Sequence, residues 1–432
     1  MVLLLSTNMK FRCRHLELII RTSQLFMIAL NIYRRRGEDG KDMYQYYTMN
    51  AISQVGLSRF TGGYVQTNAL ENADMILVRS ADMHGVTLPP SVIAVARAGA
   101  GVNNIPTEDY AAQGVVVFNT PGANANGVKE MVFAGMLLAA RDVVDGINWV
   151  KKQKGDPEVA KKTEKEKKRF AGSELSGKKL GVIGLGAIGV LVANAAVHLG
   201  MDVYGYDPYI SVEAAWNLSR NIKHISDVSQ IYSECDYITI HVPLLPDTRN
   251  MIGRDAISLM KPSAVILNFS RDLLVDEEAV LEALDEGRVH RYVCDFPNPL
   301  TTGHEKVILS PHLGASTSES EDNCAKMAVR ELMDYVRNGN ITNSVNYPAC
   351  SLGELRSAVR IAICHRNVPK MISHFTNILA DNNIAHMNNS SRGDYAYTLL
   401  DLDTVPGAEA LRALEKVDDV LRVRVIDPNG MM

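Results

Sequence analysis

The chain has 432 residues, 45 Lys plus Arg against 49 Asp plus Glu, and a net charge of -4. That length argues for two or three domains, and the weakly acidic balance excludes a general polyanion binder as the default. With 46% hydrophobic and 22% charged residues the composition is that of a globular protein, not a disordered or fibrous one.

The six cysteines, Cys13, Cys235, Cys294, Cys324, Cys350 and Cys364, form no CxxC pair and do not cluster with histidines at zinc spacing. No disulfide framework and no metal site is therefore expected, and isolated cysteines point to a reducing compartment, the cytoplasm. No apolar run reaches the ~18 residues of a membrane span.

Residues 1–42 differ from the rest. The stretch Leu25 to Tyr33 follows Arg12, Arg14 and Arg21 as in a targeting segment, but Arg34-Arg35-Arg36 follows it where small residues would mark cleavage. The alternative is a mis-assigned start, with Arg34–Asp42 the translation of a purine-rich leader and Met43 the native first residue; that reading is preferred.

From Met43 the pattern is α/β. Met75–Val78, Val92–Ala98 and Val115–Phe118 are short apolar runs closed by Gly, Pro or polar residues, as expected of buried parallel strands. A long helix is predicted from Gly127 to about Val150. The Lys-rich stretch Lys151 to Arg169 reads as a solvated helix end and loop; a nucleic-acid arm would interleave aromatics with its charges. Leu180–Ile183 opens a second series with Val203–Tyr206, Tyr237–Val242, Ala264–Leu267, Val293–Asp295 and Val307–Leu309, in outline a doubly wound sheet. A helix is predicted over about Glu319–Asn338, then a linker over about 340–358. The tail reads strand (Val359–Cys364), helix (Pro369–Asn382), two strands (Ala385–Asn389, Asp394–Asp401), helix (Gly407–Lys416) and strand (Leu421–Ile426), the βαββαβ order of a small ferredoxin-like domain.

Gly184-Leu185-Gly186-Ala187-Ile188-Gly189 follows a predicted strand and opens an apolar helix. The first glycine permits the tight turn, the second a close approach of pyrophosphate, the third helix-on-strand packing, and the helix N-terminus supplies N–H groups and a positive dipole. Asp207 ends the next strand, where a carboxylate holds the adenosine ribose and repels a 2′-phosphate, favouring NAD over NADP; the alternative is a turn residue before Pro208. His312, in Ser310-Pro311-His312-Leu313-Gly314, stands just past a strand end as a candidate general base. Arg271, in Asn268-Phe269-Ser270-Arg271-Asp272, is a candidate for bidentate carboxylate binding; the alternatives are a structural histidine and a surface pair with Asp272.

These motifs, with His241-Val242-Pro243-Leu244, Asn268–Arg271 and the run 311–317 (PHLGAST), make residues 43–348 resemble the D-2-hydroxyacid dehydrogenases. Arg79-Ser80, the 98–104 loop (AGAGVNN) and the 119–124 loop (NTPGAN) are most similar to the substrate loops of members that oxidise 3-phosphoglycerate, and the tail resembles the ACT regulatory domain that such enzymes carry. The resemblance implies a Rossmann-like NAD domain (124–314) inserted in a flavodoxin-like substrate domain (43–123 and 315–347), a linker (348–358) and an ACT-like domain (359–432). It implies Arg271 and His312 as catalytic groups. It also implies Arg79, Ser80, Gly99, Ala100, Gly101 and Asn124 as substrate contacts, with a phosphate best served by Arg79. Contacts to NAD would come from Gly184, Gly186, Ala187, Ile188, Gly189, Asp207, His241, Val242, Pro243, Asn268, Ser270, Asp295 and Gly314. The implied activity is NAD-dependent oxidation of 3-phosphoglycerate at the entry to serine synthesis. The rivals are oxidation of an unphosphorylated acid such as glycerate or lactate, and a non-catalytic NAD-binding sensor. A homodimer or homotetramer is expected, through the long helix and the ACT strands.

The sequence departs from the family pattern in places. Pro299 stands where a Glu usually pairs with the catalytic His, so either Asp295 or Glu305 substitutes or the His works without a partner. Lys129, early in the long helix, is a candidate third catalytic group, or a solvent-facing lysine. In the tail His365 and Asn367 match effector-binding positions, but Lys370 stands where a Gly usually follows Pro and Ala385 where an Asn often sits, so weak amino-acid binding, or an ACT fold used only for subunit contacts, is expected.

Overall fold

The computed structural model describes residues 43–427, so the reading of residues 1–42 and of the start at Met43 lies outside the described residues. The chain divides into two compact units, 122–320 and the remainder.

In the unit outside 122–320, five parallel strands, β1 (Tyr44–Thr48), β2 (Tyr64–Gln66), β3 (Met75–Val78), β4 (Ala94–Arg97) and β5 (Val116–Phe118), form a sheet of order β2-β1-β3-β4-β5. The central strands are apolar on both faces because helices cover both. Met75, Ile76, Leu77 and Val78 are all fully buried. Strands β1 and β2 escape a pattern reading because Tyr44-Gln45-Tyr46-Tyr47-Thr48 is aromatic and polar, not a run of Val and Ile; Tyr46 instead stacks on Phe60 at 4.2 Å.

The unit 122–320 holds a seven-stranded sheet of order β12-β11-β10-β9-β6-β7-β8, with β6 Lys179–Ile183, β7 Asp202–Tyr206, β8 Lys223–His224, β9 Tyr237–Ile240, β10 Val265–Asn268, β11 Arg291–Cys294 and β12 Val307–Leu309. Every pairing is parallel, so all the strands end on one edge. The order reverses between β6 and β9, the switch point where open α/β sheets bind ligands.

The long helix expected from Gly127 is two helices, Ala125–Ala140 and Val143–Lys152. Arg141 between them is extended, at φ -145° and ψ 145°. The break is imposed by contacts from residues distant in sequence. The Ala140 carbonyl accepts the Ser173 N–H at 3.0 Å, and Gly172 crosses so close that a Cβ there would lie 1.9 Å from that oxygen. Asp142 pairs with Arg291 of β11.

The tail forms β13 (Val359–Arg366), β14 (Ile384–Arg392), β15 (Tyr395–Leu402) and β16 (Val420–Ile426) in an antiparallel sheet of order β14-β15-β13-β16, with helices Met371–Ile378 and Ala408–Glu415. Val359, Ile361, Ile363, Leu400 and Leu402 pack with Phe375 and Leu414 of the helices. The alternate residues point to the other face, and there the sheet is not open. Arg424 donates to the Tyr335 and Val336 carbonyls at 3.1 Å each, at the end of the helix Ser318–Asn338. The Tyr397 hydroxyl donates to Gly339 O at 2.8 Å. Arg360, fully buried, grips Asp401 through two bonds at 2.5 and 2.9 Å and donates to the carbonyls of Asn338 and Gly353 at 2.6 and 2.9 Å. Gly339 has φ +70°, and a Cβ on it would meet Ile426 Cδ1 at 2.8 Å, so the helix must end in glycine to let the sheet approach.

The expected linker is therefore no loose tether. Asn346 accepts the Val117 N–H at 2.9 Å and donates to Val115 O at 2.9 Å, extending the hydrogen bonding of β5, and the buried Tyr347 hydroxyl donates to Ala111 O at 2.8 Å. These are polar side chains reaching distant backbone, which a reading of local composition does not reveal.

Glu331, in the middle of the helix Ser318–Asn338, is 3% exposed; one carboxylate oxygen accepts from Asn343 at 2.5 Å and the other has no hydrogen-bond partner. Burial raises its pKa to about 7, against the opposing pull of Asn343. A carboxyl whose folded pKa is raised stabilises the fold while protonated and loses that contribution as pH rises through the folded value. Glu331→Gln, which mimics the protonated acid, is expected to leave the melting temperature unchanged at pH 5 and to raise it at pH 8, as scanning calorimetry would record; an equal Tm at pH 8 would assign the charge no cost.

Candidate active site

The ends of the parallel strands of the unit 122–320 carry most of the predicted residues. After β6, Gly184 has φ +91°, and a Cβ there would lie 2.6 Å from the His241 carbonyl oxygen; a Cβ on Gly189 would lie 1.9 Å from Gly184 O. Both positions thus require glycine. Gly186, the residue before the helix Ala187–His198, would meet nothing within 4 Å, so the backbone there is open to an approaching group. This is the arrangement a dinucleotide pyrophosphate requires, with the N–H groups of Ala187 and Ile188 in the first helical turn.

Asp207, past the end of β7, accepts the Leu185 N–H at 2.8 Å on one oxygen and the Tyr209 N–H at 2.9 Å on the other. It braces the glycine turn as well as forming its own. A carboxylate oxygen takes two bonds, so each retains a lone pair for a ribose hydroxyl. His241, after β9, has Nε2 3.0 Å from the Thr239 hydroxyl, while Nδ1 is buried without a partner; burial lowers its pKa to about 3, so the ring is neutral. Val242 and Pro243 continue this loop, and Val242 Cγ1 would be 2.9 Å from a Cβ on Gly184.

After β10, Asn268 shapes the loop. Its side-chain amide donates to Arg271 O at 2.8 Å and its oxygen accepts the Ser270 N–H at 3.1 Å, while the Ser270 hydroxyl donates to Ile240 O at 2.6 Å. Asn268 and Ser270 act on the backbone that presents Arg271. The exposed Arg271 guanidinium turns onto the Ser270 carbonyl at 2.6 Å and not onto Asp272.

His312 has φ +49°, a left-handed conformation uncommon outside glycine. Asp295 over-determines it: the Asp295 carbonyl accepts the His312 N–H at 3.0 Å, and its carboxylate accepts the Gly314 N–H at 2.8 Å. Gly314 must be glycine, since a Cβ would sit 2.9 Å from that carboxylate oxygen. The Phe296 ring meets the imidazole edge-on at 5.2 Å. The other Asp295 oxygen is buried without a hydrogen-bond partner. Burial raises the Asp295 pKa, while the Gly314 N–H and the nearby His312 ring pull it down. Glu305 is exposed and contributes its carbonyl to Arg291. Of the two expected substitutes for the absent Glu, Asp295 is the one next to His312. Sequence reading missed Glu277, which accepts from Asn298 at 2.5 Å and ties down the loop carrying Phe296; nothing in the local sequence joins those two residues.

Asn124 precedes the helix Ala125–Ala140 without capping it through its side chain. Lys129, half-buried in the first turns of that helix, donates to Asn126 Oδ1 at 2.6 Å.

In the other unit the predicted substrate residues meet at the ends of β3 and β4. Arg79 donates its backbone N–H to Asn50 Oδ1 at 2.9 Å, and Asn50 Nδ2 lies 3.3 Å from the Ser80 hydroxyl. The Gly99–Gly101 loop is stapled by Asn119 donating to Ala100 O at 2.6 Å and by the Thr120 N–H donating to Gly99 O at 3.1 Å. Two charged residues here escaped the sequence reading. Arg97 ends β4, bonds Arg79 O through Nε at 3.0 Å and lies across the loop, 2.6 Å from where a Gly99 Cβ would be. Its signal was available: an arginine closing a strand directly before a glycine loop, as Arg79 closes β3. Glu321 pairs with Arg79 at 2.5 Å, from a helix distant in sequence.

In the tail, His365 is 2% exposed; Nε2 bonds the Thr398 hydroxyl at 2.9 Å and Nδ1 bonds Arg366 O at 2.8 Å. Burial lowers its pKa. Both ring nitrogens are engaged within the domain, so an effector would have to displace one of these bonds. Asn367 is exposed and donates to Gly393 O at 3.0 Å. Lys370 adopts φ +73°, the conformation for which glycine is suited.

Among the described residues no cluster of three or more His, Cys, Asp or Glu could hold a metal ion, and no helix is long and apolar enough to cross a membrane. Residues 133–314 match the model of the D-isomer specific 2-hydroxyacid dehydrogenase NAD binding domain. The D-3-phosphoglycerate dehydrogenase of Methanocaldococcus jannaschii is 36% identical over 331 residues, 72% of this chain, and the chain spans 60% of that protein's length. That of Haemophilus influenzae is 32% identical over 350 residues, covering 78% of this chain and 82% of the relative. Among solved structures, NAD+-bound 3-phosphoglycerate dehydrogenase of Entamoeba histolytica superposes with a TM-score of 0.54 at 24% identity, over 70% of this chain and 99% of that one, a likeness of fold.

The two backbone bonds to Asp207 separate its charge from its shape. Asp207→Asn keeps an acceptor but removes the charge, and is expected to narrow the preference for NAD over NADP by roughly ten-fold, the worth of one hydrogen bond to a charged group. Michaelis constants for both cofactors measure it; an unchanged ratio would confine Asp207 to bracing Leu185 and Tyr209.

Proposed function

The chain belongs to the D-isomer specific 2-hydroxyacid dehydrogenase family, and we propose that it oxidises D-3-phosphoglycerate to 3-phosphohydroxypyruvate with NAD, at the entry to L-serine synthesis. The observation that carries the choice of substrate is the pair of arginines, Arg79 and Arg97, closing adjacent strands around the Gly99–Gly101 loop. A phosphate needs several cationic or N–H donors, and an uncharged substrate end needs none.

NAD supplies the hydride acceptor when bound. The rest falls to the chain's own groups. The Gly184–Gly189 turn and Asp207 hold the dinucleotide. Arg271, freed from the Ser270 carbonyl, takes the substrate carboxylate and polarises the oxygen on C2. His312 accepts the hydroxyl proton as hydride leaves C2, and returns it in the reverse direction. The strained backbone at His312 is held by Asp295, so the imidazole is aimed before substrate arrives. Arg79, Arg97 and Ser80 serve the phosphate end.

Self-association belongs to the same reading. The helix Val143–Lys152 exposes Val143, Val144, Ile147 and Val150 along one side, which supports a homo-oligomer formed through it. Buried, unpaired cysteines support a reducing compartment such as the cytoplasm.

One observation favours a second reading, an unphosphorylated 2-hydroxy acid: Glu321 already occupies Arg79. NADH formation with D-3-phosphoglycerate, D-glycerate and D-lactate, compared by kcat/KM, decides between them. His312→Ala is expected to lower kcat by about 10²–10⁴-fold, the usual worth of a general base, with NADH affinity nearly unchanged. Lys129→Ala is expected to cost far less, and the opposite ranking of these two mutants would transfer the proton to Lys129.

A further inference from the structure

We propose that Glu321 is a specificity-determining residue, an internal carboxylate that competes with the substrate's phosphate for Arg79. The inference rests on the reading that Arg79 takes the phosphate, and goes beyond it by making the strength of that contact adjustable.

Arg79 and Glu321 pair through Nη2 and Oε1 at 2.5 Å, and both side chains are 42% exposed. The partners come from independent elements, the end of β3 and the first turn of the helix Ser318–Asn338, so the pair is not a by-product of local spacing. The helix start is itself fixed: the neighbouring Asp322 accepts from the Ser53 hydroxyl at 2.5 Å. Arg97 presses from the other side, its Nε on the Arg79 carbonyl. A buried thiol registers all three charges. Burial pushes the Cys324 pKa up, Arg97 and Arg79 pull it down, and Glu321 adds to the rise. Arg79 thus carries Glu321 on its guanidinium and Arg97 on its backbone carbonyl.

The guanidinium offers a two-pronged face to either a carboxylate or a phosphate. With Glu321 on Nη2, an incoming phosphate must displace the carboxylate or accept the remaining N–H groups beside a like charge. A half-exposed ion pair is weak enough to exchange. The carboxylate thus holds Arg79 in place when substrate is absent and lowers the affinity when it arrives. It also penalises a doubly charged phosphate more than a neutral substrate end, and so sets how sharply the two are discriminated.

Glu321→Gln separates the two effects, because the amide oxygen still accepts from Arg79 while the charge is gone. Under saturating NAD the KM for D-3-phosphoglycerate is expected to fall about two- to five-fold, the range for release of one exposed ion pair, and the inhibition constant of inorganic phosphate to fall with it, while kcat moves less than KM. A KM that is unchanged or higher in Glu321→Gln overturns the inference. Arg79→Gln serves as the reference. If it raises the KM for D-3-phosphoglycerate while Glu321→Gln leaves it unchanged, the phosphate reading of Arg79 stands and only the competition fails. If Arg79→Gln leaves both constants unchanged, the phosphate reading fails and the inference with it.

Discussion

The last turn of the helix Ser318–Asn338 presents backbone carbonyls that have no further helical partner, and the chain answers them with cations from its C-terminal domain. Arg424 takes Tyr335 O and Val336 O, Arg360 takes Asn338 O, and the Tyr397 hydroxyl takes Gly339 O. Positive charge is favoured at that end of a helix, and buried carbonyls cannot be left unpaired. Arg360 has its own requirement, since a fully buried guanidinium must be matched, and Asp401 on the adjoining strand does so. Removing one partner of such a buried pair costs about 3–5 kcal/mol. The ACT-like sheet and the five-stranded parallel sheet are consequently parts of one packed unit.

The candidate active site depends on a different constraint, close approach at the strand ends. Gly184 against His241, Gly189 against Gly184 and Gly314 against Asp295 leave no room for a Cβ. These contacts fix loops that would otherwise be free, and they place Asp207, Arg271 and His312 beyond the same edge of the sheet. Strain is confined to His312, where the Asp295 carbonyl and carboxylate bracket the residue. Arg271 and His312 are both exposed, and the Arg271 guanidinium is held by one carbonyl of its neighbour.

Sequence reading reached the parts of this that local chemistry writes down. Apolar runs closed by Gly, Pro or polar residues mark the buried strands β3 to β7 and β9 to β12; the glycine turn, Arg271 and His312 follow from position at strand ends, and Arg79 from the family resemblance. It missed what distant contacts decide. Strand β1 is rich in tyrosine, with Tyr46 stacked on Phe60 and Tyr44 on Tyr64, β8 is two residues long, and the break at Arg141 is caused by Gly172 and Arg291. The supposed linker is held by Asn346 and Tyr347 on the β5 side of the sheet. Asp295 was read as a cofactor contact and as one of two candidates to stand in for the absent Glu; its bracketing of His312 appears only when β11 and β12 are laid side by side.

Covering the ACT-like sheet from within the chain changes what that domain has left to offer. One face carries the two helices and the other carries Tyr335, Tyr347 and the arginine contacts. Among the described residues the edge strand β14 and the helix side are left for a ligand or another subunit, while Arg422 of the other edge, β16, bonds Pro90 O and Gln113 O. On β14 the residues Ala385, His386 and Met387 are exposed, and a strand edge is a ready surface for another strand. A ligand acting through His365 would have to reach a ring that already bonds Thr398 and Arg366 and packs on Phe375. Any change transmitted inward from that ring meets Cys364 and then Tyr335 on the helix Ser318–Asn338, whose first turn carries Glu321. One helix thus has the C-terminal domain at its end and the Arg79–Glu321 pair at its start.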